Sequence, residues 1–145
     1  MKNAIAIVSG IGFGMGLGEN ARAMLITRGI KEIVSIVTAL GGSMETAYGL
    51  SGIGDLIVTA SSFNSRNFQC GKRIGEGLSV DEAVGASAQT VEGIRAIIAG
   101  YEIAQKYNLE LPIISTAYEL VCGRLTAIEA LEKLMSRSLK KERYW

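Results

Sequence analysis

Histidine is absent from this 145-residue sequence, and proline and tryptophan occur once each. Without histidine the chain lacks the side chain that most often acts as a general base near neutral pH. It also lacks the commonest ligand of zinc and iron sites. We therefore expect no metal site, and any acid–base chemistry has to come from lysine or carboxylate side chains.

Cysteine is also scarce. Cys70 and Cys122 are the only two, and their separation matches no metal-binding motif. We interpret both as reduced thiols, which is the usual state of cysteine in a cytoplasmic protein. The sequence thus predicts a cytoplasmic chain that needs neither a disulfide nor a metal ion for its stability.

A large charge excess and a long apolar run are missing as well. Fifteen basic and fourteen acidic residues leave a formal charge of +1, so no strong field favours nucleic acid or an anionic membrane. No apolar run reaches the roughly 18 residues of a membrane span. The first residues imitate a secretory signal that ends at Ala21-Arg22-Ala23, but glycines at alternate positions from Gly10 to Gly18 disfavour its helical core.

Glycine, by contrast, is abundant, with 18 residues. The apolar segment AIAIV followed by GIGFGMGLG suggests a strand and a dinucleotide-binding loop, but the glycine spacing does not fit. When the motif starts at Gly10, Gly12 or Gly14, its third glycine falls on Met15, Leu17 or Glu19. A small-residue helix whose glycines permit close helix contacts is the better interpretation.

Apolar spacing and capping residues predict one all-α domain over residues 1–145. S/T-x-x-E capping patterns start at Ser79 and Thr126, and Pro112 suits the first turn of a helix. The tail, SRSLKKERYW, is predicted to be frayed. Seven helices are expected: one that begins near Asn3, one from Glu19 to Leu40, one after Ser43, one after Ser79, one from Thr90 to Tyr107, one after Leu111 and one after Thr126.

Core-building alone does not explain the segment from Gly49 to Gly71. Its first half carries Asp55 after closely spaced glycines and before an apolar Leu-Ile-Val run, which is expected to reduce access of water to the carboxylate. Its second half holds the cluster Ser65-Arg66-Asn67, whose donors suit phosphate oxygens. The alternatives are a helix-capping aspartate and an ordinary N-capped surface turn. The residues by themselves leave these alternatives open.

Lys2 and Glu92 are less conspicuous. Lys2 is an unremarkable residue near the start of the chain unless burial or a nearby cation makes its ammonium group easier to deprotonate, which would suit it to acid–base catalysis. Glu92, near the start of a long predicted helix, is explained most simply by its favourable interaction with the helix dipole.

Taken together and in order, several motifs resemble the bacterial NAD(P)-dependent glycerol-3-phosphate dehydrogenases. They are Lys2-Asn3 before an apolar helix, then GLGENARAMLITRG, YGLSGIGDLIVT, SRN and VEG. The resemblance extends over nearly the whole chain. It implies the C-terminal, substrate-binding domain of that family, a single multi-helix domain of the 6-phosphogluconate-dehydrogenase C-terminal type. The family's N-terminal Rossmann domain is expected to be absent from residues 1–145.

The resemblance also implies a role for each motif residue. Lys2 would be the proton acceptor, and Asp55 would bind the glycerol part of the substrate and orient the lysine. The triplet Ser65, Arg66 and Asn67 would contact the substrate phosphate region, with Arg66 also reaching the dinucleotide. Glu92 would contact the cofactor. Where the family often has another basic residue after S-R-N, this chain has Phe68-Gln69-Cys70, which puts secondary phosphate contacts in doubt.

The implied reaction converts glycerol 3-phosphate to dihydroxyacetone phosphate reversibly, for glycerophospholipid precursor synthesis. The cofactor would be NAD or NADP, bound mainly by the Rossmann domain, which would act as a partner in cis or in trans. A homodimer is possible, and the isolated domain is expected to have little or no activity. Two alternatives are a helical self-association or regulatory module derived from such an enzyme, and a related dehydrogenase acting on another 2-hydroxy substrate.

Overall fold

A computed structural model describes residues 1–49, 52, 54–61, 64–87 and 91–141. The described residues form helices and connecting turns, as the sequence predicted. The helices are α1 (Lys2–Gly14), α2 (Glu19–Ala39), α3 (Met44–Tyr48), α4 (Asp55–Ser61), α5 (Arg66–Gly75), α6 (Val80–Gly85), α7 (Glu92–Tyr107), α8 (Pro112–Val121) and α9 (Ala127–Lys141).

Three of the predicted helix starts are confirmed by their side-chain caps. Ser43 and Ser79 accept backbone N–H groups at the starts of α3 and α6, and Ser79 completes a capping box with Glu82. Thr126 and Glu129 bond each other's backbone N–H groups in the same way at α9. Thr90, the expected start of α7, lies outside the described residues.

The prediction of a frayed tail is wrong for residues 136–141. Helix α9 continues through Lys141. The strong helix formers leucine, lysine and arginine in this segment propagate the helix that the capping box starts, and their polar character did not outweigh that propensity.

Helix α1 forms the centre of the fold. Its residues 4–10 are all buried, and it packs against α2, α4, α5, α7 and α8. A helix that is apolar or small on every side is suited to such a position. Because Lys2 is the first residue of this helix, the fold places it at one end of the core.

Glycines bring α1 and α5 into direct backbone contact. A Cβ atom at Gly10 would lie 2.2 Å from the carbonyl oxygen of Phe68, and one at Gly71 would lie 2.0 Å from the carbonyl oxygen of Ile7. Gly14 and Gly75 make equally close approaches one turn later on their helices. The contact pairs advance together along both chains, so α1 and α5 are parallel and begin at the same end of the fold.

Helix α4 begins at that end too. Lys2 contacts Asp55, and Ser9 donates to the backbone carbonyl of Ala60 at 2.9 Å, so α4 runs parallel to α1. The short helices that carry the Asp55 and Ser65-Arg66-Asn67 motifs therefore start beside Lys2 rather than on separate faces of the domain.

A buried carboxylate joins the other side of the core. Glu32, in the middle of α2, is only 5% exposed and accepts the backbone N–H groups of Ile113 and Ile114 at 2.8 and 3.0 Å. Those groups lie in the first turn of α8, where N–H groups have no intrahelical acceptor. Leu111, the N-cap residue, provides no side-chain cap, so Glu32 caps α8 from another helix.

We expect Glu32→Gln to lower the free energy of unfolding by about 2–3 kcal/mol, because the neutral amide weakens two charge-assisted hydrogen bonds and turns an NH2 group toward a buried donor. Urea unfolding of the two proteins measures the difference. Glu102→Gln, on an exposed carboxylate of α7, is the matched control and should change stability by less than about 0.5 kcal/mol. Equal effects of the two substitutions would contradict the capping role.

Among the helices in the described part of the chain, none combines the length and the apolar character that crossing a bilayer requires.

Candidate active site

The end of the fold where α1 begins holds an ion pair between Lys2 and Asp55. The Nζ atom of Lys2 lies 2.5 Å from Oδ2 of Asp55. The two residues are 53 positions apart in sequence and are brought together because α1 and α4 start side by side. The Lys2 and Asp55 motifs therefore form one site only because the fold brings the starts of α1 and α4 together.

This ion pair contributes little to stability, because the two side chains are 46% and 44% exposed. An ion pair in such contact with water is typically worth about 0–1 kcal/mol. Its clearest effect is geometric, since the carboxylate holds the terminus of a flexible lysine in one place. A half-exposed lysine held in this way is available for proton transfer to a bound molecule.

The expectation that an apolar run shields Asp55 from water is wrong for this structure. Leu56 is buried, but Ile57 and Val58 are 48% and 69% exposed. On a short helix, three consecutive residues cannot all face the core, because neighbouring side chains point about 100° apart. The Leu-Ile-Val run therefore leaves an apolar surface beside the ion pair.

Asn3 and Glu92 form a second link at the same end. The side-chain amide of Asn3 donates to Oε2 of Glu92 at 3.2 Å. Glu92 is the first residue of α7, so this bond ties the start of α7 to the start of α1. Asn3 stands next to Lys2, but its contact with Glu92 could not be predicted from the sequence, because the two residues are 89 positions apart.

The Ser65-Arg66-Asn67 cluster forms the start of α5. Ser65 is the N-cap, and its hydroxyl accepts the N–H of Phe68 at 3.3 Å. Arg66 is exposed, and within the described ranges no hydrogen bond or ion pair engages its side chain. A capped helix start and an uncommitted guanidinium offer backbone dipoles and a planar set of donors to an anion.

Asn67 has a different environment from its two neighbours. It is 9% exposed, and its Oδ1 accepts the backbone N–H of Gly93 at 2.7 Å. The structure therefore assigns Asn67 a buried contact between α5 and α7. No local pattern predicts this contact, because Gly93 is notable in the sequence only as part of the V-E-G segment.

The starts of α1, α4, α5 and α7 are connected by these side-chain contacts. All six residues singled out in the sequence, Lys2, Asp55, Ser65, Arg66, Asn67 and Glu92, belong to these helix starts. Helix starts carry partial positive charge, so their convergence favours an anionic ligand. The arrangement combines a group able to transfer a proton with groups able to bind phosphate.

Metal or thiol chemistry finds no support at this site. In residues 1–49, 52, 54–61, 64–87 and 91–141 there is no cluster of three acidic or cysteine side chains that could hold a metal ion. Both cysteines are free thiols. Cys70 is buried, and burial raises the pKa of its thiol, which makes its reactive thiolate scarcer.

A dinucleotide cofactor is compatible with only part of this end of the fold. Glu92 and Arg66 are exposed, and their charges are of the kinds that contact ribose hydroxyls and phosphates. The three-glycine pattern of a dinucleotide-binding loop is not present in the sequence, and its Gly-x-Gly-x-x-Ala form at Gly16, Gly18 and Ala21 follows helix α1 rather than a strand. The charged side chains of this chain can thus supply some cofactor contacts.

The chain is similar to glycerol-3-phosphate dehydrogenases in sequence and in fold. The glycerol-3-phosphate dehydrogenase [NAD(P)+] of Acholeplasma laidlawii is 55% identical over 142 residues, covering 98% of this chain and 43% of that protein. The crystal structure of the Coxiella burnetii glycerol-3-phosphate dehydrogenase matches 94% of this chain and 42% of its own, with 39% identity and a TM-score of 0.90. The Plasmodium falciparum enzyme shares the fold, with a TM-score of 0.80 at 19% identity.

This chain thus spans less than half the length of these relatives. The family model described as the C-terminus of NAD-dependent glycerol-3-phosphate dehydrogenase matches residues 1–132. Family match, sequence identity and fold all agree with the motifs that surround Lys2, and the chain belongs to the C-terminal domain family of the NAD-dependent glycerol-3-phosphate dehydrogenases.

Proposed function

We propose that this chain is the substrate-binding and proton-transferring domain of an NAD(P)-dependent sn-glycerol-3-phosphate dehydrogenase. The reaction interconverts glycerol 3-phosphate and dihydroxyacetone phosphate and supplies a precursor of glycerophospholipids. The observation that carries the proposal is the Lys2–Asp55 pair, held where α1, α4, α5 and α7 begin. A lysine beside an anion-binding group of helix starts matches a phosphorylated alcohol as substrate.

Lys2 acts on the C2 oxygen of the substrate. In the oxidation its neutral amine accepts the C2 hydroxyl proton, and in the reduction its ammonium returns that proton to the developing alkoxide. NAD(P), when bound, supplies the acceptor or donor of the hydride at C2. Asp55 balances the charge of the ammonium and fixes its position, 2.5 Å from the carboxylate.

The phosphate group binds at the start of α5. Arg66 forms charge-assisted hydrogen bonds with phosphate oxygens, and Ser65 and Asn67 extend this contact with neutral groups. The dipole of α5 adds to the attraction. Because Asp55 binds the glycerol part, the substrate lies between the start of α4 and the start of α5, with C2 near Lys2.

The cofactor contacts of this chain are Glu92 and Arg66. Both are exposed, and Glu92 is held by Asn3. The main binding of NAD or NADP belongs to a Rossmann domain that acts with this chain in cis or in trans. Closure of that domain over Lys2 and Asp55 would exclude water, which strengthens the electrostatic interactions of the site. We place the enzyme in the cytoplasm, with a homodimer as its possible assembly.

Titration of the chain with glycerol 3-phosphate tests the phosphate site directly. We expect weak binding, and we expect Arg66→Ala to reduce the affinity at least about tenfold, the effect of losing one or two charge-assisted hydrogen bonds. Arg124→Ala is the control, because Arg124 is an exposed arginine between α8 and α9. It should leave the affinity unchanged.

The titration also separates the enzyme from the alternative of a self-association or regulatory module. Such a module would ignore glycerol 3-phosphate and both arginine substitutions. Its apolar surface, including the exposed Ile57 and Val58, would serve self-association instead. Binding that does not depend on Arg66, or no binding by the wild-type chain at millimolar ligand, would count against the proposed phosphate site.

A further inference from the structure

Asn67 lies where the proposed substrate contacts and the proposed cofactor contact meet. It follows Arg66 in sequence, and its side-chain oxygen accepts the N–H of Gly93, which follows Glu92. The two residues are 26 positions apart and the bond is buried. A single hydrogen bond therefore joins the helix start that carries Arg66 to the helix start that carries Glu92.

The start of α7 depends on this bond because its own N-cap provides none. Val91 occupies the N-cap position and makes no side-chain cap bond. The first N–H groups of a helix have no intrahelical acceptor, and Gly93 lies in that first turn. Asn67 supplies the missing acceptor from α5, so α5 helps to position the first turn of α7, which the Asn3–Glu92 bond also ties to α1.

The first turn of α7 is also tightly packed at this contact. A Cβ atom at Gly93 would lie 2.6 Å from the carbonyl oxygen of Asn3 and 2.7 Å from Oδ1 of Asn67. The first turn of α7 is thus pressed against α1 and α5 together. A change at Asn67 is transmitted to Glu92, because only one peptide unit separates Glu92 from the bonded N–H.

The same bond fixes the orientation of the Asn67 side chain. Because Oδ1 faces the Gly93 N–H, the amide cannot flip without placing its NH2 group against another donor. The NH2 group is left to donate elsewhere, and a phosphate oxygen accepts from such a group. The Asn67 side chain can therefore donate to the substrate phosphate with its nitrogen while its oxygen holds the start of α7, which carries the cofactor contact.

We propose that Asn67 is a positioning residue for the cofactor contact made by Glu92, in addition to its contact with the substrate phosphate. This inference rests on the proposed function. It assigns to the Asn67 oxygen an effect on NAD(P) binding that is separate from the effect of its nitrogen on the substrate.

Two substitutions distinguish the role of the Asn67 side-chain oxygen from that of its nitrogen. Asn67→Asp keeps an oxygen for the Gly93 N–H and removes the donor. Asn67→Leu has a similar size and removes both. The assay uses a joined enzyme, in which the part of the Acholeplasma laidlawii protein outside the matched region is placed upstream of Met1 of the full chain.

We expect both variants to raise the KM for dihydroxyacetone phosphate. Only Asn67→Leu should also raise the KM for NAD(P)H, by about tenfold, the factor that corresponds to losing one buried hydrogen bond of typical strength. A purely structural or purely substrate-binding role would not produce this split. An NAD(P)H KM that is unchanged in Asn67→Leu, or raised equally in both variants, would overturn the assignment.

Amide hydrogen exchange of the chain itself tests the anchor without turnover. The Gly93 N–H should exchange at least about tenfold faster in Asn67→Leu than in wild type, because the acceptor that Asn67 provides is lost, and near the wild-type rate in Asn67→Asp. An unchanged rate in Asn67→Leu overturns the inference. If the joined enzyme shows no turnover but its Gly93 exchange follows this pattern, the proposed function is wrong while the Asn67–Gly93 contact is supported.

Discussion

Replacing Lys2 with methionine in the joined enzyme should lower kcat for reduction of dihydroxyacetone phosphate by about a thousandfold, within the range typical for removal of a general acid or base. Methionine approximates the length of the lysine stem and cannot transfer a proton. The KM for the substrate should change much less, because the proposed phosphate site is Arg66 and the start of α5 rather than Lys2. Initial rates of NAD(P)H oxidation over a range of substrate concentrations measure both quantities.

The control for this substitution is Lys106→Met. Lys106 is exposed in the last turn of α7, with its Nζ 5.5 Å from the ring of Tyr107. Its replacement should leave kcat within a factor of about two, because a surface substitution away from the site changes little. A Lys2→Met enzyme that retains a tenth or more of the wild-type kcat would show that another group transfers the proton.

Replacing Gly71 with alanine should lower the free energy of unfolding by about 3 kcal/mol or more, because overpacking a rigid contact is strongly destabilising. The added Cβ would lie 2.0 Å from the carbonyl oxygen of Ile7 and 3.0 Å from the backbone nitrogen of Ile11. Both atoms belong to helix backbone, so no side chain can rotate away, and α1 and α5 must separate. The helices that carry Lys2 and Arg66 would then move apart.

Gly85→Ala is the matched control, and the two substitutions should have opposite signs. Gly85 is in helix α6, is exposed, and has open space where a Cβ would be placed. Alanine there should stabilise the protein by about 0.5–1 kcal/mol through its higher helix propensity. Urea unfolding followed by circular dichroism measures both variants. A Gly71→Ala protein as stable as wild type would contradict the close packing of α1 and α5.

The sequence predicted the helices well because their signals are local. The Ser79 and Thr126 capping boxes and Pro112 mark helix starts within a few residues of where the structure has them. The tail was the exception, since its polar residues indicated fraying while α9 continues through Lys141. In this segment the helix propensity of the residues determined the structure more than their polarity did.

The site was less predictable because its contacts are long-range. Lys2 and Asp55 could be paired from the sequence only through the family resemblance, and the Asn3–Glu92 and Asn67–Gly93 contacts were missed. A side chain in an amphipathic pattern does not reveal a partner many positions away. The same reason explains why Glu32 went unnoticed, although it caps α8 from the middle of α2.

The most direct test of the proposed enzyme is turnover by the joined protein. With NAD(P)H and dihydroxyacetone phosphate, we expect it to form glycerol 3-phosphate, while this chain and the Acholeplasma laidlawii part alone each show little or none. In the proposed function, this chain provides the lysine and the phosphate contacts, and the other part binds the cofactor. A joined protein that is folded and binds NAD(P)H but does not reduce dihydroxyacetone phosphate would contradict the assignment of Lys2, Asp55 and Arg66 to this reaction.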